Sequence, residues 1–284
     1  MKPGRANATA GDVAYLGPEG TYSQLVAEKR YPHGRTLVPL PTIMDVCAFV
    51  ARRPTVRRGV IPIENSSGGA IYETVDILLG SLPPVCILEE LALDVKLALL
   101  GRKGEKVKVL YSHFAPIEHC MTWLARRLPG VERRLVATTA IGAQRAAVER
   151  NAAALGSRRL AHLWSLDVLR YPVQADVPNI TVFLVVGGTR RSQPRAAKTT
   201  LAVKLPNQPG ALCAFLETFR DESVNLSRLI SRPIRGCPRE YAFLVDVDGA
   251  VESPAVKRAL KRARGTCAEL RTVGSYPTRR RYTS

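Results

Sequence analysis

The sequence predicts an α/β fold in its first part and a ferredoxin-like βαββαβ unit in its second, and three observations carry this prediction. Short apolar runs alternate with helical patterns up to about residue 186, which is typical of α/β folds. The segment Gly187–Lys198 has no apolar periodicity, so we interpret it as a linker. Beyond it the pattern reads strand, helix, strand, strand, helix, strand. The boundary is expected near residue 195.

Five apolar or β-branched runs predict the strands of the first part. The alternation of these strands with helices favours sheets that are mostly parallel and covered on both faces. The expected strands are Val13–Leu16, Gly59–Ile63, Val107–Tyr111, Arg134–Ala137 and Ile180–Val186.

Helices are expected between these strands, because apolar side chains recur there every three or four residues. One helix opens at Thr138-Thr139 and extends to about Arg150. The apolar faces of two others hold Ile71, Val75 and Leu78 in the first, and Ile117, Met121, Leu124 and Leu128 in the second, which ends at Pro129-Gly130.

The second part has four expected strands and two helices. We expect both helices to lie on one face of an antiparallel sheet. The turn Asn207–Gly210 precedes the first helix. The strands are Thr199–Leu205, Asn225–Ser231, Tyr241–Val247 and Cys267–Val273; the helices hold Leu212, Phe215, Leu216 and Phe219 on one face, and Ser253–Arg264.

The chain carries 42 Lys and Arg residues against 24 Asp and Glu residues, a formal net charge of +18. This charge is spread along the chain and has no aromatic interleaving or nucleic-acid motif, so no nucleic-acid partner is expected. A basic surface still attracts small anions. No membrane partner is expected either, because the best apolar run, Leu91–Leu100, is broken by Asp94 and Lys96.

The six cysteines are scattered, and the spacing of zinc or redox motifs is absent from the sequence. We therefore expect no metal site, and buried thiols in a reducing cytoplasm. Residues Met1–Gly11 lack the apolar stretch of a secretion signal, which agrees with a cytoplasmic location.

Polar and hydroxyl-rich residues follow the predicted strands, at the edge where open α/β sheets bind ligands. They are Gly17–Ser23, Glu64–Ser67, Ser112-His113 and Thr138-Thr139. Several lie where a helix begins, so backbone N–H groups and the helix dipole favour a carboxylate or phosphate there without a metal. The alternative is plain helix capping, for which the same residue types are preferred.

These segments carry a resemblance to a known family. Tyr15–Ser23 and Val60–Ser66 resemble the two N-terminal signatures of prephenate dehydratase, and Ser112-His113 with Cys120 resembles a third. Asn179, Thr181 and Phe183 match the family's closing motif. The second part resembles an ACT regulatory domain, whose two phenylalanine-binding motifs are matched by Pro209–Leu212 and Ser231–Pro233. The resemblance covers the chain from about residue 13 to residue 277.

The resemblance implies a catalytic domain at residues 12–190 with a type 2 periplasmic-binding-like fold, two α/β lobes around a cleft. It implies an ACT domain at residues 198–278. The implied reaction converts prephenate to phenylpyruvate, releasing water and carbon dioxide, with no cofactor and no metal. ACT domains of this kind pair side by side, so a homodimer or homotetramer is expected. The resemblance implies phenylalanine as the effector, and because Ile230 replaces the Glu of the regulatory motif, a weak response to it or none is expected.

The resemblance also implies the site residues. Thr181 is marked as essential, acting on the ring hydroxyl, while Thr21, Asn65, Ser66 and Ser112 fix the carboxylates. Glu64 either orders its turn or helps as an acid. The candidates are, as catalytic residues, Thr181, Asn65, Ser112, Glu64 and His119; for substrate binding, Thr21, Ser66, Ser67, Thr138, Asn179 and Phe183; and for the regulatory ligand, Gly210, Ala211, Leu212, Ser231, Arg232 and Pro233.

The chain departs from the family's pattern at three places. Val182 stands where the closing motif has Arg, and strand alternation predicts that it points away from the face that Thr181 offers. His119 and Ala115 stand where the family has Gln, and His119 can carry charge, which predicts a pH dependence of binding between about pH 5 and 8. Ile230 stands where the regulatory motif has Glu.

These departures leave two alternatives to a prephenate dehydratase. One is a specialised relative that acts on prephenate or a similar cyclohexadienyl acid with altered chemistry. The other is a non-catalytic sensor that binds a small molecule. The retention of Thr181, Asn65 and Ser112 favours the dehydratase.

Overall fold

The computed structural model describes residues 11–80, 83–188, 192–193, 195–234, 236–279 and 281–284. Parts of the predicted linker (189–191 and 194) and Arg280 of the basic tail lie outside the described residues. The described chain builds three sheets with packed helices. We call them lobe 1, lobe 2 and the C-terminal unit.

Lobe 1 is a mixed sheet flanked by three helices. Its strands follow the order β16-β5-β11-β3-β1-β2, with β4 beside β3. The elements are β1 (Val13–Leu16), α1 (Tyr22–Arg30), β2 (Leu37–Leu40), α2 (Ile43–Ala51), β3 (Arg58–Asn65), β4 (Gly69–Ala70), α3 (Tyr72–Leu79), β5 (Cys86–Asp94), β11 (Ile180–Gly187) and β16 (Tyr282–Thr283).

Lobe 2 is a five-stranded sheet of order β10-β6-β9-β7-β8. Its elements are β6 (Ala98–Gly101), β7 (Val109–Ser112), α4 (Phe114–His119), α5 (Met121–Arg127), β8 (Glu132–Leu135), α6 (Thr139–Val148), β9 (Ala152–Gly156), α7 (Arg159–Leu163) and β10 (Asp167–Arg170).

The expectation of mostly parallel sheets is wrong for several strand pairs. The strand β11 is antiparallel to both of its neighbours, β3 and β5. In lobe 2, β6 is antiparallel to β9 and to β10. The reason is topological: the chain leaves lobe 1 through β5 and returns through β11, and these two strands therefore run in opposite directions.

The predicted helix through Met121 is two short helices. The backbone of Cys120 leaves the helical region, with φ −122° and ψ 21°, and separates α4 from α5. Ile117 and Leu124 are buried as the periodicity predicts, but Met121 is 52% exposed. The break at Cys120 rotates α5 relative to α4, so the four apolar residues do not share one face.

Two segments connect the lobes. One is Val95–Leu97, between β5 and β6, and the other runs from residue 171 to residue 179, before β11. The amide of Val95 donates to the carbonyl of Asn179 at 2.7 Å, and the amide of Val173 donates to the carbonyl of Leu97 at 2.8 Å. These hydrogen bonds join the two segments into a hinge beside the cleft.

The C-terminal unit has the βαββαβ order that the sequence predicts. Its antiparallel sheet has the order β13-β14-β12-β15, and both helices pack on one face around Phe215 and Phe219. The elements are β12 (Lys198–Lys204), α8 (Ala211–Arg220), β13 (Leu226–Pro233), β14 (Tyr241–Asp248), α9 (Pro254–Ala263) and β15 (Glu269–Tyr276).

The helix-free face of this sheet packs on lobe 1. Ala202, Leu244 and Val273 share an apolar cluster with α2, α3 and the sheet of lobe 1. Arg271 adds hydrogen bonds to the carbonyls of Leu78, Leu79 and Gly80 at the end of α3. The unit is therefore attached to lobe 1 by an apolar contact with polar bonds around it.

The chain beyond β15 returns to the hinge. After Arg279, which pairs with Glu89 at 2.7 Å, the strand β16 lies parallel to β5. The amide of Lys96 donates to the hydroxyl of Ser284 at 2.6 Å, and the hydroxyl of Tyr171 donates to the carbonyl of Ser284 at 2.8 Å. This tail therefore contacts both connecting segments.

Among the described helices, none combines the length and the apolar character that a bilayer span requires.

A substitution at Gly274 would test the contact between the C-terminal unit and lobe 1. A Cβ atom at this position would lie 2.5 Å from the carbonyl oxygen of Ile87, a backbone atom that cannot rotate away. We expect Gly274→Ala to lower the free energy of unfolding by about 1–3 kcal/mol, the usual cost of overpacking. Denaturant unfolding measures it, and an unchanged midpoint would contradict the close contact.

Candidate active site

A cavity of about 280 Å³ lies between the two lobes at the ends of the strands. Helix starts, the hinge and β11 all contribute to its wall. Its principal lining residues are Thr21, Tyr22, Ser23, Asn65, Val95, Leu97, His113, Ala115, His119, Thr138, Thr139, Asn179, Thr181 and Phe183. Seven of the predicted catalytic or substrate-binding residues line this cavity: Thr21, Asn65, His119, Thr138, Asn179, Thr181 and Phe183.

The side-chain amide of Asn65 joins two strands at the floor of the cavity. Its Nδ2 donates to Asn179 Oδ1 at 3.0 Å and to Thr181 Oγ1 at 2.9 Å. The register of β3 and β11 places Thr181 directly opposite Asn65. Because the Thr181 oxygen accepts from Asn65, its own hydrogen is available to a group in the cavity.

The oxygen of the same amide is held by the loop that follows β3. Asn65 Oδ1 accepts from the backbone amides of Ser67 and Gly68, each at 3.0 Å. His119 Nε2 lies 3.5 Å from the same oxygen, and its Nδ1 lies 3.1 Å from the hydroxyl of Ser67. Both ends of the Asn65 amide therefore have partners, which fixes its orientation.

His119 is 1% exposed although its side chain is polar. Burial lowers the pKa of its imidazole, and the nearby Glu118 and Asp176 oppose this effect. The contacts fit the neutral tautomer in which Nε2 donates to Asn65 and Nδ1 accepts from Ser67. In this form the histidine offers one donor toward Asn65, as a glutamine amide would.

One helix from each lobe begins at the cavity, α1 from lobe 1 and α6 from lobe 2. Thr21 caps α1, where its hydroxyl accepts from the amide of Gln24, and Thr138 caps α6, where its hydroxyl accepts from the amide of Ile141. The first turn of a helix leaves backbone N–H groups without helical partners and carries a positive partial charge. The capping alternative is thus correct for both hydroxyls, and the helix starts still face the cavity.

The electrostatic potential in the cavity is set mainly by the dipoles of α1 and α6 and by His113 and His119. Its described lining residues include no Lys, Arg, Asp or Glu. Burial also lowers the pKa of His113. An anion in the cavity would meet N–H groups, hydroxyls and amides without a competing carboxylate.

Two predicted catalytic residues lie away from this lining. Ser112 is fully buried, and its hydroxyl donates to the carbonyl of Leu155 at 2.8 Å, so it connects β7 to β9. Glu64 lies on the opposite face of β3 from Asn65, because successive side chains alternate, and it pairs with Arg228 of the C-terminal unit. Neither side chain is placed to contact a molecule in the cavity, which differs from the role expected of Ser112 and, of the two alternatives for Glu64, favours the structural one.

Ser66 and Ser67 hold the loop after β3 and do not line the cavity. The hydroxyl of Ser66 donates to the carbonyl of Pro178 at 2.8 Å and accepts from the amide of Ile180 at 2.9 Å. Ser67 contacts His119 as described. In place of the carboxylate contact expected of Ser66 and the substrate contact expected of Ser67, the two hydroxyls bind groups of the hinge and of α4.

Of the residues that depart from the family's pattern, two line the cavity and two pack in the apolar cluster between lobe 1 and the C-terminal unit. Val182 packs in the apolar cluster between lobe 1 and the C-terminal unit, away from the cavity, as the alternation predicts. Ala115 lines the cavity, as does His119. Ile230 packs against the same apolar cluster as Val182.

The predicted regulatory residues divide between two cavities of the C-terminal unit. Ala211 and Leu212 line one, at the start of α8, and Gly210, with φ +81°, immediately precedes this helix. Arg232 and Pro233 line the other, against α3, and Arg232 forms a bidentate ion pair with Asp76 at 2.6 and 2.8 Å. Ser231 is exposed on the edge strand. Within one chain, the two motifs do not share a cavity.

Among the principal lining residues, sequence reasoning did not select Tyr22, Ser23, Val95, Leu97, His113 and Thr139 as site residues, and it noted Ala115 only as a departure from the family's pattern. Tyr22 and His113 stand inside segments that were singled out, and Tyr22 has a signal in its position at the first turn of α1. Val95 and Leu97 belong to the hinge, which the apolar run Leu91–Leu100 did not reveal as two strands and a connection. Tyr22, Val95, Leu97 and Phe183 give the cavity an apolar wall.

Comparison with known proteins places the chain among related sequences and structures. The family model for prephenate dehydratase matches residues 13–191, and the model for the ACT domain matches residues 199–265. The chain is 34% identical over 267 residues to the bifunctional chorismate mutase/prephenate dehydratase of Stutzerimonas stutzeri, an alignment that covers 93% of this chain and 73% of that protein.

Two solved structures are similar over most of the chain. Prephenate dehydratase from Arthrobacter aurescens, solved with L-Phe, has a TM-score of 0.84 at 28% identity, covering 94% of this chain and 90% of that one. GqqA, described as a novel type of quorum-quenching acylase, has a TM-score of 0.81 at 27% identity, covering 94% and 98%.

His119 should couple stability to pH. Its pKa in the folded state lies below the ordinary value near 6.5, so the unfolded state binds more protons below pH 6.5. We expect this contribution to stability to be complete above pH 6.5 and to decline as pH falls toward the lowered pKa. Unfolding at pH 7 and pH 5.5 should show a smaller pH effect in His119→Gln than in the wild type. His33→Gln, at an exposed position, is the control; equal pH effects in all three proteins would contradict the burial of His119.

Proposed function

Because the chain belongs to the prephenate dehydratase family, we propose that it converts prephenate to phenylpyruvate with release of water and carbon dioxide. In this reaction the bond between the ring and its carboxylate breaks, and its electron pair enters the ring. The C–O bond of the ring hydroxyl breaks as a proton is supplied, so the oxygen leaves as water and the ring becomes aromatic. The protein must therefore hold two carboxylates and aim one proton donor.

Thr181 is the proposed donor to the leaving hydroxyl, and solvent restores its proton, since the net reaction consumes one. Its contact with Asn65 is the single observation that carries this role. The Thr181 oxygen accepts from Asn65 Nδ2 at 2.9 Å, which directs its hydrogen elsewhere. A donor that is held before the substrate arrives needs no reorganisation during the reaction. Asn65 is held in turn by Asn179, Ser67, Gly68 and His119, so it orients Thr181.

The starts of α1 and α6 supply the proposed sites for the two carboxylates. They belong to different lobes, so a substrate with two anionic groups would contact both sides of the cleft. Their backbone N–H groups and dipoles suit carboxylates. A lining without Lys or Arg, among the described residues, leaves these dipoles as the main attraction once the substrate is inside.

The apolar wall suits the cyclohexadiene ring. Tyr22, Val95, Leu97 and Phe183 offer it a surface that excludes water. In a site of low polarity, hydrogen bonds and dipoles act more strongly on a developing charge, and a ring carboxylate loses part of its hydration, which favours its loss as carbon dioxide.

The direct test incubates pure protein with prephenate and identifies the product. We expect phenylpyruvate, which absorbs as its enolate in alkali, together with one equivalent of carbon dioxide. A different product from prephenate would favour a specialised relative with altered chemistry. Binding of prephenate without turnover would favour the sensor and overturn the proposed reaction.

The two parts of the chain have separate proposed roles. Residues 12–190 form the catalytic domain, and residues 198–278 form the regulatory ACT domain. We propose that the active protein is a homodimer or homotetramer, because the motifs around Gly210 and Ser231 lie in different places of one chain and would meet only across two copies. The free thiols of Cys47, Cys120, Cys213, Cys237 and Cys267 support a reducing, cytoplasmic location.

Thr181→Val should separate chemistry from folding. We expect kcat to fall by at least about 10²-fold, the effect of losing a positioned proton donor, while the circular dichroism spectrum stays unchanged. Thr122→Val, at an exposed position of α5, is the matched control and should keep the wild-type rate. Near-wild-type turnover in Thr181→Val would remove this hydroxyl from the mechanism.

Phenylalanine should bind the regulatory domain weakly. Ile230 removes the charge that the motif's Glu carries, and its side chain is committed to the apolar contact with lobe 1. We expect calorimetric titration to give a dissociation constant above about 1 mM, which corresponds to less than about 4 kcal/mol of binding free energy. Micromolar binding accompanied by inhibition would show that the substitution does not matter.

A further inference from the structure

Arg228 of the C-terminal unit reaches into lobe 1. Its side chain is 10% exposed, and its Nε donates to Glu64 Oε2 at 2.9 Å. It also pairs with Asp246 of its own sheet and lies 3.7 Å from Glu90 of β5. The guanidinium therefore connects three carboxylates from β3, β5 and β14.

Glu64 is the residue next to Asn65 on β3. Asn65 faces the cavity and Glu64 faces the C-terminal unit, as alternation requires. A contact that fixes the Glu64 side chain therefore also restrains the backbone that carries the Asn65 side chain. The end of β3 is therefore held on one face by Arg228 and on the other by Thr181 and Asn179.

The strand β11, which pairs with β3, places no charged side chain opposite Glu64. Val182 lies directly opposite Glu64 in the register of β3 and β11, on the same face of the sheet. The closing motif of the family has Arg at this position, and an Arg there would stand opposite Glu64 in this register. In this chain the position is apolar, and the cation that Glu64 meets comes from the C-terminal unit.

We propose that Arg228 is a positioning residue for the active site, supplied by the C-terminal unit in place of a cation on β11. It holds Glu64, and through the backbone of β3 it keeps the Asn65 amide in line with Thr181. The effect on turnover rests on the proposed dehydratase activity, whereas the alignment of Asn65 is a property of the protein without substrate.

The charge balance around Arg228 explains why its removal has a local effect. Among the described residues, Glu64, Glu90 and Asp246 meet two cations there, Arg228 and Lys198, and Lys198 pairs with Glu90 at 2.8 Å. Without Arg228, three carboxylates share one cation in a half-buried space. Breaking such a pair leaves an uncompensated charge, so Glu64 would turn toward solvent and release the end of β3.

The test compares Arg228→Gln, Arg228→Lys and the double variant Val182→Arg/Arg228→Gln with the wild type. In Arg228→Gln we expect kcat for prephenate to fall by about tenfold or more, with KM changed little, because misalignment by a fraction of an ångström affects chemistry more than binding. Arg228→Lys should recover part of the rate. The double variant should recover most of it, because the guanidinium returns to Glu64 from β11.

Arg271→Gln is the matched control. Arg271 also connects the C-terminal unit to lobe 1, but at the end of α3 and away from β3. We expect its kcat to equal that of the wild type even where its melting temperature falls. Equal losses of kcat in Arg271→Gln and Arg228→Gln would assign both effects to the attachment of the unit and overturn the proposal.

The side-chain amide of Asn65, followed by NMR in protein without substrate, tests the alignment independently of activity. We expect its resonance to shift and its exchange with water to quicken in Arg228→Gln, and both to return in the Val182→Arg double variant. If the double variant does not fold, Arg228→Lys supplies the comparison. An unperturbed amide in Arg228→Gln overturns the proposal whether or not the wild type acts on prephenate; a wild type that fails on prephenate overturns only the proposed function.

Discussion

The pairing of β3 with β11 is the constraint on which the rest of the structure depends. It brings Asn65 opposite Thr181 on one face and Glu64 opposite Val182 on the other. The first pair faces the cavity between the lobes, and the second faces the C-terminal unit. A slip of the register by one residue would exchange the two faces and would lose both arrangements. One antiparallel ladder thus determines which side chains face the cavity and which face the C-terminal unit.

Much of this was predictable because local patterns and strand alternation are short-range properties. The strands Val13–Leu16 and Ile180–Val186 and the βαββαβ order follow from apolar periodicity. The opposite directions of Thr181 and Val182 follow from the two-residue period of a strand. The helix starts at Thr21 and Thr138 were signalled by their capping residues, whichever role they were given.

The remaining features depend on contacts between distant parts of the chain. Ser112 ends a strand as expected, but its hydroxyl is taken by a carbonyl of β9, a neighbour that no local pattern identifies. The break at Cys120 leaves Met121 outside the buried face although its spacing is helical. Glu64 was left open between a structural role and an acid, and what decides its surroundings is Arg228, 164 positions away.

The tail after β15 gives the C-terminal unit a second connection to lobe 1. The C-terminal unit is joined to lobe 1 by the covalent connection before β12 and again by the tail, where β16 pairs with β5 at the edge of the sheet and Ser284 binds the hinge. If the covalent connection were cut, the two fragments would stay together, since one would still contribute a strand to the other's sheet. Rotation of one lobe against the other would also move Tyr171 relative to Ser284, so a wider cleft would require the hydrogen bond between them to break or the tail to move with lobe 2.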